Sequence, residues 1–368
     1  MRITRIAVHQ VDLPLTRPYR LSGGRLYFDR LDSTVVRIDT DEGVSGWGEG
    51  CPWGSTYLPA FPRGIRAGVD EIGPQLIGLD PRRIDVVERT MDRALPGHLY
   101  VKSAIDLACW DLLGQSTGLP VCELLGGRED EPVTIHSSIG TDTPKAMVAD
   151  IAARREQGYR IHSAKVGSGV GEDLARIRAL TEACPEDESV TFDVNRAWLP
   201  DQAIQVMNAI AGTPAYFEQP CDTYEQCLAV RRRTTHPVIL DETIQAFGDI
   251  VRAQADGACE AIGLKIGRVG GLTKARRIRD FCVNTGLRMN IEDTGSGGIG
   301  DTAAAHLAQS TDPLHRRATW LCHDMLSVAM VDGGARNEHG TTRAPDAPGL
   351  GVTPRAEALG DPVAVFEE

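Results

Sequence analysis

Through the middle of the chain, short apolar runs alternate with longer segments whose apolar residues recur at helical spacing. Eight runs have the composition of strands, the first at Thr134–Ser138 and the last at Ala318–Leu321, and helix-like stretches separate them. Alternating strands and helices form parallel sheets, and eight such units can close a barrel. Residues 128–332 are therefore predicted to form an α/β domain, a (β/α)8 barrel of the TIM type.

The first third of the chain has a different pattern. Thr4–Leu13 and Ser33–Asp39 alternate apolar and polar residues, as half-buried antiparallel strands do, and a glycine-containing turn follows the second run. The pattern becomes helical from Ala67 to about Leu95, and Val101–Thr117 has one apolar face. Strands first and helices after them predict an α+β capping domain over residues 1–127.

The end of the chain follows neither pattern. Residues 333–368 are rich in Gly, Pro, Asn and Asp and show little periodicity. They are predicted to be irregular structure that packs back on the capping domain.

Composition narrows the classes of function. The 368 residues are 42% hydrophobic and 24% charged, and the net charge of −12 argues against nucleic acid or an anionic membrane surface as a partner. The nine cysteines are scattered without metal-knuckle spacing, which favours free thiols in a reducing compartment. The N-terminus lacks a signal-peptide core, and no apolar run approaches the ~18 residues that span a bilayer. A cytoplasmic protein is expected.

Ionisable residues stand at the ends of five successive strand-like runs. Lys165, Asp193, Glu218, Asp241 and Lys265 follow one another at intervals of 28, 25, 23 and 24 residues. Because the carboxyl ends of barrel strands surround a single pocket, these side chains are expected to meet there. Three carboxylates suit a hard divalent cation such as Mg²⁺, and the flanking lysines are candidate proton carriers.

Each of these residues also has an ordinary structural explanation. An acid at a strand end can cap the next helix or lie at the surface, and a lysine can pair with a carboxylate for stability alone. Three acids in register favour the metal site over that explanation. Asn195 and Glu242 are predicted to support the metal ligands and not to be ligands themselves. A nearby metal and a second ammonium would lower the pKa of each lysine and make it a usable base.

These motifs resemble the enolase superfamily, and within it the mandelate racemase and muconate lactonizing enzymes. The resemblance covers nearly the whole chain and includes Gly46-Trp47-Gly48-Glu49 in the cap. The family's Lys-x-Lys after the second barrel strand corresponds to Ser163-Ala164-Lys165, so its first lysine is replaced and its second is present. The resemblance implies that the three carboxylates hold Mg²⁺ and that the two lysines face opposite sides of a substrate α-carbon. An enediolate intermediate would then form.

Aromatic residues in the cap loops and after the last strand are candidates for substrate contacts. The candidates are Tyr19, Trp53, Tyr57 and Trp320, together with the carboxylate of Asp293. Such a set suits a cationic nitrogen, and a quaternary ammonium above all, through cation–π attraction. Packing of the cap on the barrel explains Trp53 equally well.

Five segments resemble the 4-hydroxyproline betaine 2-epimerases: Pro18–Gly24, Gly48–Pro59, Ser163–Lys165, Ile291–Asp293 and Ala318–Trp320. This resemblance implies racemisation or 2-epimerisation at the α-carbon of a proline-type carboxylate, most of all 4-hydroxyproline betaine or proline betaine. A cis-3-hydroxy-L-proline dehydratase, a lyase on the same scaffold, is the alternative, because Tyr100–Ser103 and Asp346–Val352 are similar to that group. A non-catalytic ligand-binding protein on the same fold is a remote alternative. Such a protein would be expected to lack a lysine or a metal carboxylate of the site, and this chain retains all five residues. Because members of the family often form even-numbered assemblies, the resemblance also implies a homo-oligomer.

Four weaker signals favour ordinary explanations. Gly295–Gly300 matches the dinucleotide pattern Gly-x-Gly-x-x-Gly, but it follows seven strands and is interpreted as a loop at the barrel mouth near the substrate carboxylate. Cys322-His323-Asp324 lie too close in sequence for a nucleophilic triad. His162 is expected to face away from Lys165. The first strand contains His136-Ser137-Ser138 in place of the His-x-His of metal-dependent hydrolases.

Overall fold

A computed structural model describes residues 1–367, and it begins with an antiparallel sheet. The strands are β1 (Ile3–Leu21), β2 (Leu26–Thr40) and β3 (Ser45–Gly50), with β2 between the other two. Both alternating runs of the sequence lie in this sheet, and a tight turn joins β2 to β3 as the glycine-containing segment predicted. The sheet forms the outer layer of the cap.

Helices cover one face of this sheet. They are α1 (Pro62–Ile72), α2 (Ile84–Ala94), α3 (Leu99–Thr117) and α4 (Val121–Leu124). The helical pattern from Ala67 to Leu95 therefore belongs to two helices. The break begins with a 3-10 turn at Gly73–Gln75, because Pro74 lacks the N–H that an α-helix interior requires.

Helix α3 is buried on nearly every side, although its sequence predicted a single apolar face. It lies between β3 and helices of the barrel, so both of its faces are covered. Gly46 and Gly48 on β3 make the close approach possible. A Cβ at Gly48 would lie 1.8 Å from the carbonyl oxygen of Ala104 on α3, and one at Gly46 would lie 2.3 Å from that of Ala108.

The barrel contains the eight predicted strands in a parallel sheet whose order follows the chain. After a short strand β4 (Val133–Thr134), the barrel strands are β5 (His136–Ile139), β6 (Ile161–Lys165), β7 (Ser189–Asp193), β8 (Tyr216–Glu218), β9 (Val238–Leu240), β10 (Ala261–Lys265), β11 (Arg288–Glu292) and β12 (Arg316–Ala318). The helices between them are α5 (Pro144–Glu156), α6 (Val170–Ala183), α7 (Pro200–Ala209), α8 (Tyr224–Arg231), α9 (Phe247–Asp256), α10 (Ile266–Val269), α11 (Leu272–Thr285) and α12 (Ile299–Gln309).

The barrel closes through a short seam between β12 and β5. A single parallel bridge joins Ile135 to Thr319, and two backbone hydrogen bonds accompany it, from His136 N to Thr319 O (2.9 Å) and from Thr319 N to Thr134 O (2.8 Å). The last strand lies two residues before its predicted position at Ala318–Leu321, because the chain beyond the seam leaves the ladder for the barrel mouth.

The tail contains more regular structure than its composition predicted. A 3-10 turn at Cys322–Met325 leads to β13 (Val331–Gly333), β14 (Thr341–Thr342), β15 (Val352–Pro354), α13 (Ala356–Leu359) and β16 (Ala364–Glu367). β13 pairs with β15, β14 pairs with β4, and β16 adds to the edge of the cap sheet beside β1. The tail thus contacts both the barrel and the cap.

The structure of residues 1–367 bears on two expectations from composition, the state of the cysteines and the presence of membrane-spanning helices. All nine cysteines are free thiols, and eight of them are buried. In this part of the chain, every helix is too short or too polar to cross a bilayer.

Candidate active site

The five ionisable residues meet at the carboxyl-terminal mouth of the barrel. Lys165, Asp193, Glu218 and Lys265 are the last residues of β6, β7, β8 and β10, and Asp241 follows the end of β9 directly. Four of them line one cavity, and the fifth, Asp241, lies against Lys265 beneath it. Asp241 has room there because its neighbour across the ladder is Gly263, whose Cβ would lie 2.6 Å from Asp241 Oδ1.

On one side of the cavity, Lys165 forms an ion pair with Asp193. The Nζ atom donates to Asp193 Oδ2, and the two residues are register partners on adjacent strands. Burial opposes the ammonium, but the charge and hydrogen bond of Asp193 together with the nearby Tyr19 and Glu218 outweigh it and raise the pKa of Lys165 well above its usual range. Beside this pair, the hydroxyls of Tyr19 and Ser138 share a hydrogen bond.

On the other side, Lys265 contacts three groups. Its Nζ donates to Asp241 Oδ2 (2.7 Å) and to the hydroxyl of Tyr57 (3.3 Å), and it lies 3.8 Å from Glu292 Oε1. Arg268 also donates to Asp241, at 2.7 Å. Burial opposes the charge of Lys265, but the carboxylates of Asp241, Glu292 and Glu242 together overcome it and raise the pKa of Lys265. Both lysines are therefore ammonium ions beside these carboxylates.

The three carboxylates form a concentrated negative region. Burial, followed by the charges of Asp193 and Asp241, raises the pKa of Glu218 well above its usual range. Among residues 1–367 no three potential ligands are grouped at metal-binding geometry, and Asp193 and Asp241 are paired with Lys165 and Lys265. A divalent cation would relieve the mutual repulsion of these carboxylates, so the donor set fits Mg²⁺ chemically.

Asn195 and Glu242 lie where the sequence suggested supporting residues. Asn195 Nδ2 donates to Asp193 Oδ2 (3.1 Å) and to Glu242 Oε1 (3.2 Å), so it links a candidate ligand to a second carboxylate. Burial and the nearby charges of Asp241 and Asp193 raise the pKa of Glu242 to about 7. Asn195 lines the cavity, whereas Glu242 lies behind it.

The four aromatic candidates line the cavity. Tyr19, Trp53 and Tyr57 reach it from the cap, and Trp320 reaches it from beyond β12. The rings of Trp53 and Trp320 are tilted, with centroids 5.6 Å apart. Tyr57 already has a cation on its ring, since Lys265 Nζ lies 5.5 Å from the centroid. The cap therefore forms the roof of the site.

Asp293 does not line the cavity. Successive side chains of a strand alternate in direction, so Glu292 at the end of β11 points into the mouth and Asp293 points away. The carboxylate of Asp293 accepts the backbone N–H of Gly267 (3.0 Å) and of Thr294 (2.7 Å), and burial raises the pKa of Asp293 to about 8. Its position indicates support for the loops and no direct contact with the cavity.

Sequence reasoning missed two ionisable residues that line the cavity, Glu292 and His136. His136 Nε2 contacts Glu292 Oε2 at 2.8 Å, and both residues line the cavity next to Lys265. The imidazole of His136 also stacks on Trp320, with centroids 6.5 Å apart. Glu292 could have been found by continuing the series of ionisable strand ends by one more strand.

The glycine-rich segment Gly295–Gly300 binds a side chain of the protein itself. The carboxylate of Glu49, in the cap, accepts five hydrogen bonds, and its donors are Ser33 Oγ (2.7 Å), Ser296 Oγ (2.7 Å), Gly297 N (2.7 Å), Gly300 N (3.1 Å) and Ile299 N (3.2 Å). The start of α12 thus acts as an anion site. Because Glu49 occupies it, the expected contact of this loop with a substrate carboxylate is replaced by a contact between cap and barrel.

The other weak signals have structural roles. His323 Nδ1 contacts Asp301 Oδ2 at 2.6 Å and does not contact Cys322 as a triad would require. His162, a residue of β6, is fully buried and does not line the cavity, and its Nδ1 contacts Ser137 Oγ at 2.7 Å.

Comparison with known protein families decides the classification. The family described as "Enolase C-terminal domain-like" matches residues 146–358, and "Mandelate racemase / muconate lactonizing enzyme, N-terminal domain" matches residues 3–126. The chain belongs to the enolase superfamily. The resemblance to this superfamily seen in the sequence is confirmed, and the protein is an enzyme of the mandelate racemase and muconate lactonizing type.

Individual relatives of this enolase superfamily member differ in activity. A cis-3-hydroxy-L-proline dehydratase from Roseibium aggregatum is 43% identical over 370 residues, which cover 100% of both chains. A hydrophobic dipeptide epimerase from Enterococcus faecalis is 30% identical over 96% of this chain and 100% of its own. A solved enolase superfamily structure from Roseovarius nubinhibens ISM, complexed with magnesium, is 54% identical, covers 100% of both chains and has a TM-score of 0.95. The first similarity favours the dehydratase alternative over the betaine epimerase.

Proposed function

We propose that this protein is a Mg²⁺-dependent lyase that removes water from cis-3-hydroxy-L-proline or a closely similar 3-hydroxylated proline-type acid. The observation that supports it most is a cavity in which two lysines, Lys165 and Lys265, stand on either side of three carboxylates. The full-length similarity to a dehydratase of this substrate class supports the choice of reaction.

Different residues of the cavity can carry out the separate proton transfers of an elimination. One lysine, in its neutral form, removes the proton from the α-carbon of the substrate. The electron pair of that C–H bond is first delocalised onto the substrate carboxylate, and it then forms the double bond to the β-carbon as the β-carbon–oxygen bond breaks. The departing hydroxide takes a proton from an ammonium and leaves as water. The products are water and a cyclic enamine acid, which tautomerises to the imine.

Asp193, Glu218 and Asp241 are the residues that would hold Mg²⁺. A bound Mg²⁺ would stabilise the negative charge that develops on the substrate carboxylate when the α-proton leaves. It would also compete with the lysines for the carboxylates, so each lysine would lose part of the charge that now keeps its pKa high. Asn195 holds Asp193 in place through its side-chain amide.

Epimerisation of a betaine is the second candidate, because the same two lysines and the aromatic roof suit it. The surroundings of Tyr57 disfavour a quaternary ammonium at its ring. The ammonium of Lys265 already lies over the ring, and the Tyr57 hydroxyl donates to Asp241 Oδ2 (3.3 Å). Trp53 and Trp320 remain as the aromatic faces for a cation.

Proton NMR in D₂O with Mg²⁺ distinguishes the two. We expect cis-3-hydroxy-L-proline to disappear with the signals of a dehydrated imine, and 4-hydroxyproline betaine and proline betaine to keep their α-proton signals. Formation of a new diastereomer from either betaine, without dehydration of the hydroxyproline, would replace the lyase by the epimerase. Absence of reaction with all three would refute both substrate proposals.

A further inference from the structure

One hydrogen-bond donor in the wall of the active-site cavity has no acceptor in the protein. The indole Nε1 of Trp53 is buried, and no polar atom of residues 1–367 accepts its hydrogen. The residue is 3% exposed and lines the cavity. A buried N–H without a partner costs about 1–3 kcal/mol, which is why such groups are rare in folded proteins.

The indole is held rigidly in this position. Tyr19 and Phe28 meet it edge-on, with centroids at 5.9 and 5.8 Å, and Trp320 packs against it at 5.6 Å. Gly295 lies under the ring, where an added Cβ would be 3.2 Å from Trp53 Cε3. None of these contacts offers an acceptor to Nε1.

The backbone of Trp53 is also unusual. Its φ angle is +61°, in the left-handed region that a bulky side chain rarely adopts, and Gly54 follows at +87°. Such a conformation costs of the order of 1–3 kcal/mol and tends to occur at functional sites. Two unfavourable features, a strained backbone and an unpaired donor, therefore coincide on one residue of the cavity.

Several other polar groups of the cavity wall have partners, whereas Asn195 Oδ1, an acceptor, has none. Tyr19 shares its hydroxyl hydrogen bond with Ser138, Tyr57 donates to Asp241, and His136 contacts Glu292. The Trp53 N–H, in contrast to these three groups, is a buried donor without a partner.

The chemistry of a proline-type acid limits which atom the donor can meet. The ring ammonium has no lone pair, so it cannot accept a hydrogen bond. The substrate carboxylate is required beside Asp193, Glu218 and the lysines at the floor of the cavity, whereas Trp53 belongs to the roof. A hydroxyl on the ring is the remaining acceptor.

We propose that the indole N–H of Trp53 donates a hydrogen bond to the ring hydroxyl oxygen of the substrate and stabilises that oxygen as it leaves. This inference rests on the proposed lyase function. Trp53 keeps its proton: the carbon–oxygen bond breaks towards oxygen, and the leaving hydroxide is protonated by a lysine. The residue thereby favours substrates with a hydroxyl over those without one, a role different from the cation–π contact inferred from the sequence.

Substitution of Trp53 separates this role from simple packing. Trp53→Phe keeps an aromatic ring and removes the N–H, and we expect kcat/KM for cis-3-hydroxy-L-proline to fall about 10- to 100-fold. L-Proline lacks only the hydroxyl, so its Ki as a competitive inhibitor should change less than about threefold. Trp47→Phe, the same change in the cap but outside the cavity, should alter neither quantity.

The outcomes are distinct. A Ki for L-proline that rises as much as kcat/KM falls would make Trp53 a packing residue, and an unchanged kcat/KM would also overturn the inference. Wild-type protein that fails to dehydrate the substrate would refute the proposed function before any variant is compared. If Trp53→Phe does not fold, 3-benzothienylalanine at position 53 retains the bicyclic shape without the N–H, and the same two measurements apply.

Discussion

At the scale of single residues, the site depends on pairs of opposite charge that a ligand must rearrange. Lys165 and Lys265 each donate to a carboxylate that is also a candidate metal ligand. A lysine that is fully paired in this way cannot accept a proton. We expect a cation bound at these carboxylates to weaken both ion pairs and so to lower the pKa of each lysine.

Lys165→Ala and Lys265→Ala should each reduce kcat by about 10²- to 10⁴-fold, because each variant lacks one of the two groups that move protons. Steady-state dehydration assays measure the loss. Lys274→Ala is a suitable control, since Lys274 pairs with Asp92 away from the cavity. Retention of full activity by either site variant would contradict the proposed division of roles.

Addition of Mg²⁺ after treatment with EDTA should restore activity and raise the thermal midpoint. Binding to the folded state alone stabilises it by about 2.7 kcal/mol when the free ion is at 100 times its Kd. Glu218→Gln should abolish this stabilisation. The variant lacks one of the three carboxylates that would hold the ion, and Glu218 is the carboxylate that burial and the charges of Asp193 and Asp241 destabilise in the absence of a cation. In Glu225→Gln, where the changed side chain is exposed on α8, the shift should persist. An equal shift in both variants would place the ion elsewhere.

At the scale of elements, the loop before α12 is tied to the cap by one buried carboxylate. Glu49→Gln should lower the free energy of unfolding by roughly 2–4 kcal/mol, since the amide cannot accept all five hydrogen bonds and its NH₂ group faces donors. Urea denaturation measures the change. Glu42→Gln, on the exposed hairpin of the cap, should change stability by less than about 0.5 kcal/mol.

The barrel strands and the loop before α12 show which parts of the fold and site could be predicted from the sequence. The strands and the five ionisable residues were predictable because a strand and a helix together give a regular interval, and strand ends share one pocket. Asp293 was expected in the cavity instead of Glu292, because an error of one residue at a strand end reverses the direction of the side chain. The partner of Gly295–Gly300 could not be predicted, since Glu49 lies far away in the sequence and pairing across domains leaves no local pattern.

At the scale of the whole molecule, His306 joins the cap, the barrel and the tail. From α12, its Nδ1 accepts the backbone N–H of Cys122 (3.1 Å), and its Nε2 donates to the carbonyl of Leu350 (3.1 Å). These contacts require a neutral imidazole. Burial lowers the pKa of His306 from 6.5 to about 4, with the charge of Arg128 acting in the same direction.

This predicts an acid-sensitive stability. Between pH 6.5 and 4 the unfolded chain binds a proton at His306 that the folded chain excludes, so stability falls as the pH falls, by about 3 kcal/mol over the window. The contribution is complete above pH 6.5. Urea midpoints measured from pH 4 to 7 should fall less steeply in His306→Gln, which is also less stable at pH 7. His339→Asn, at an exposed position, should retain the wild-type slope.

The short seam between β12 and β5 has a consequence for the order of folding. The bridge from Ile135 to Thr319 joins the two strands of the barrel that are farthest apart in the chain, so its loop-closure entropy is the largest among the barrel ladders. We therefore expect it to form last. His136 and Trp320, which stack across this seam, reach their places in the cavity only at that step. A nascent chain thus gains a complete substrate site only when the ribosome has released β12 and the barrel has closed.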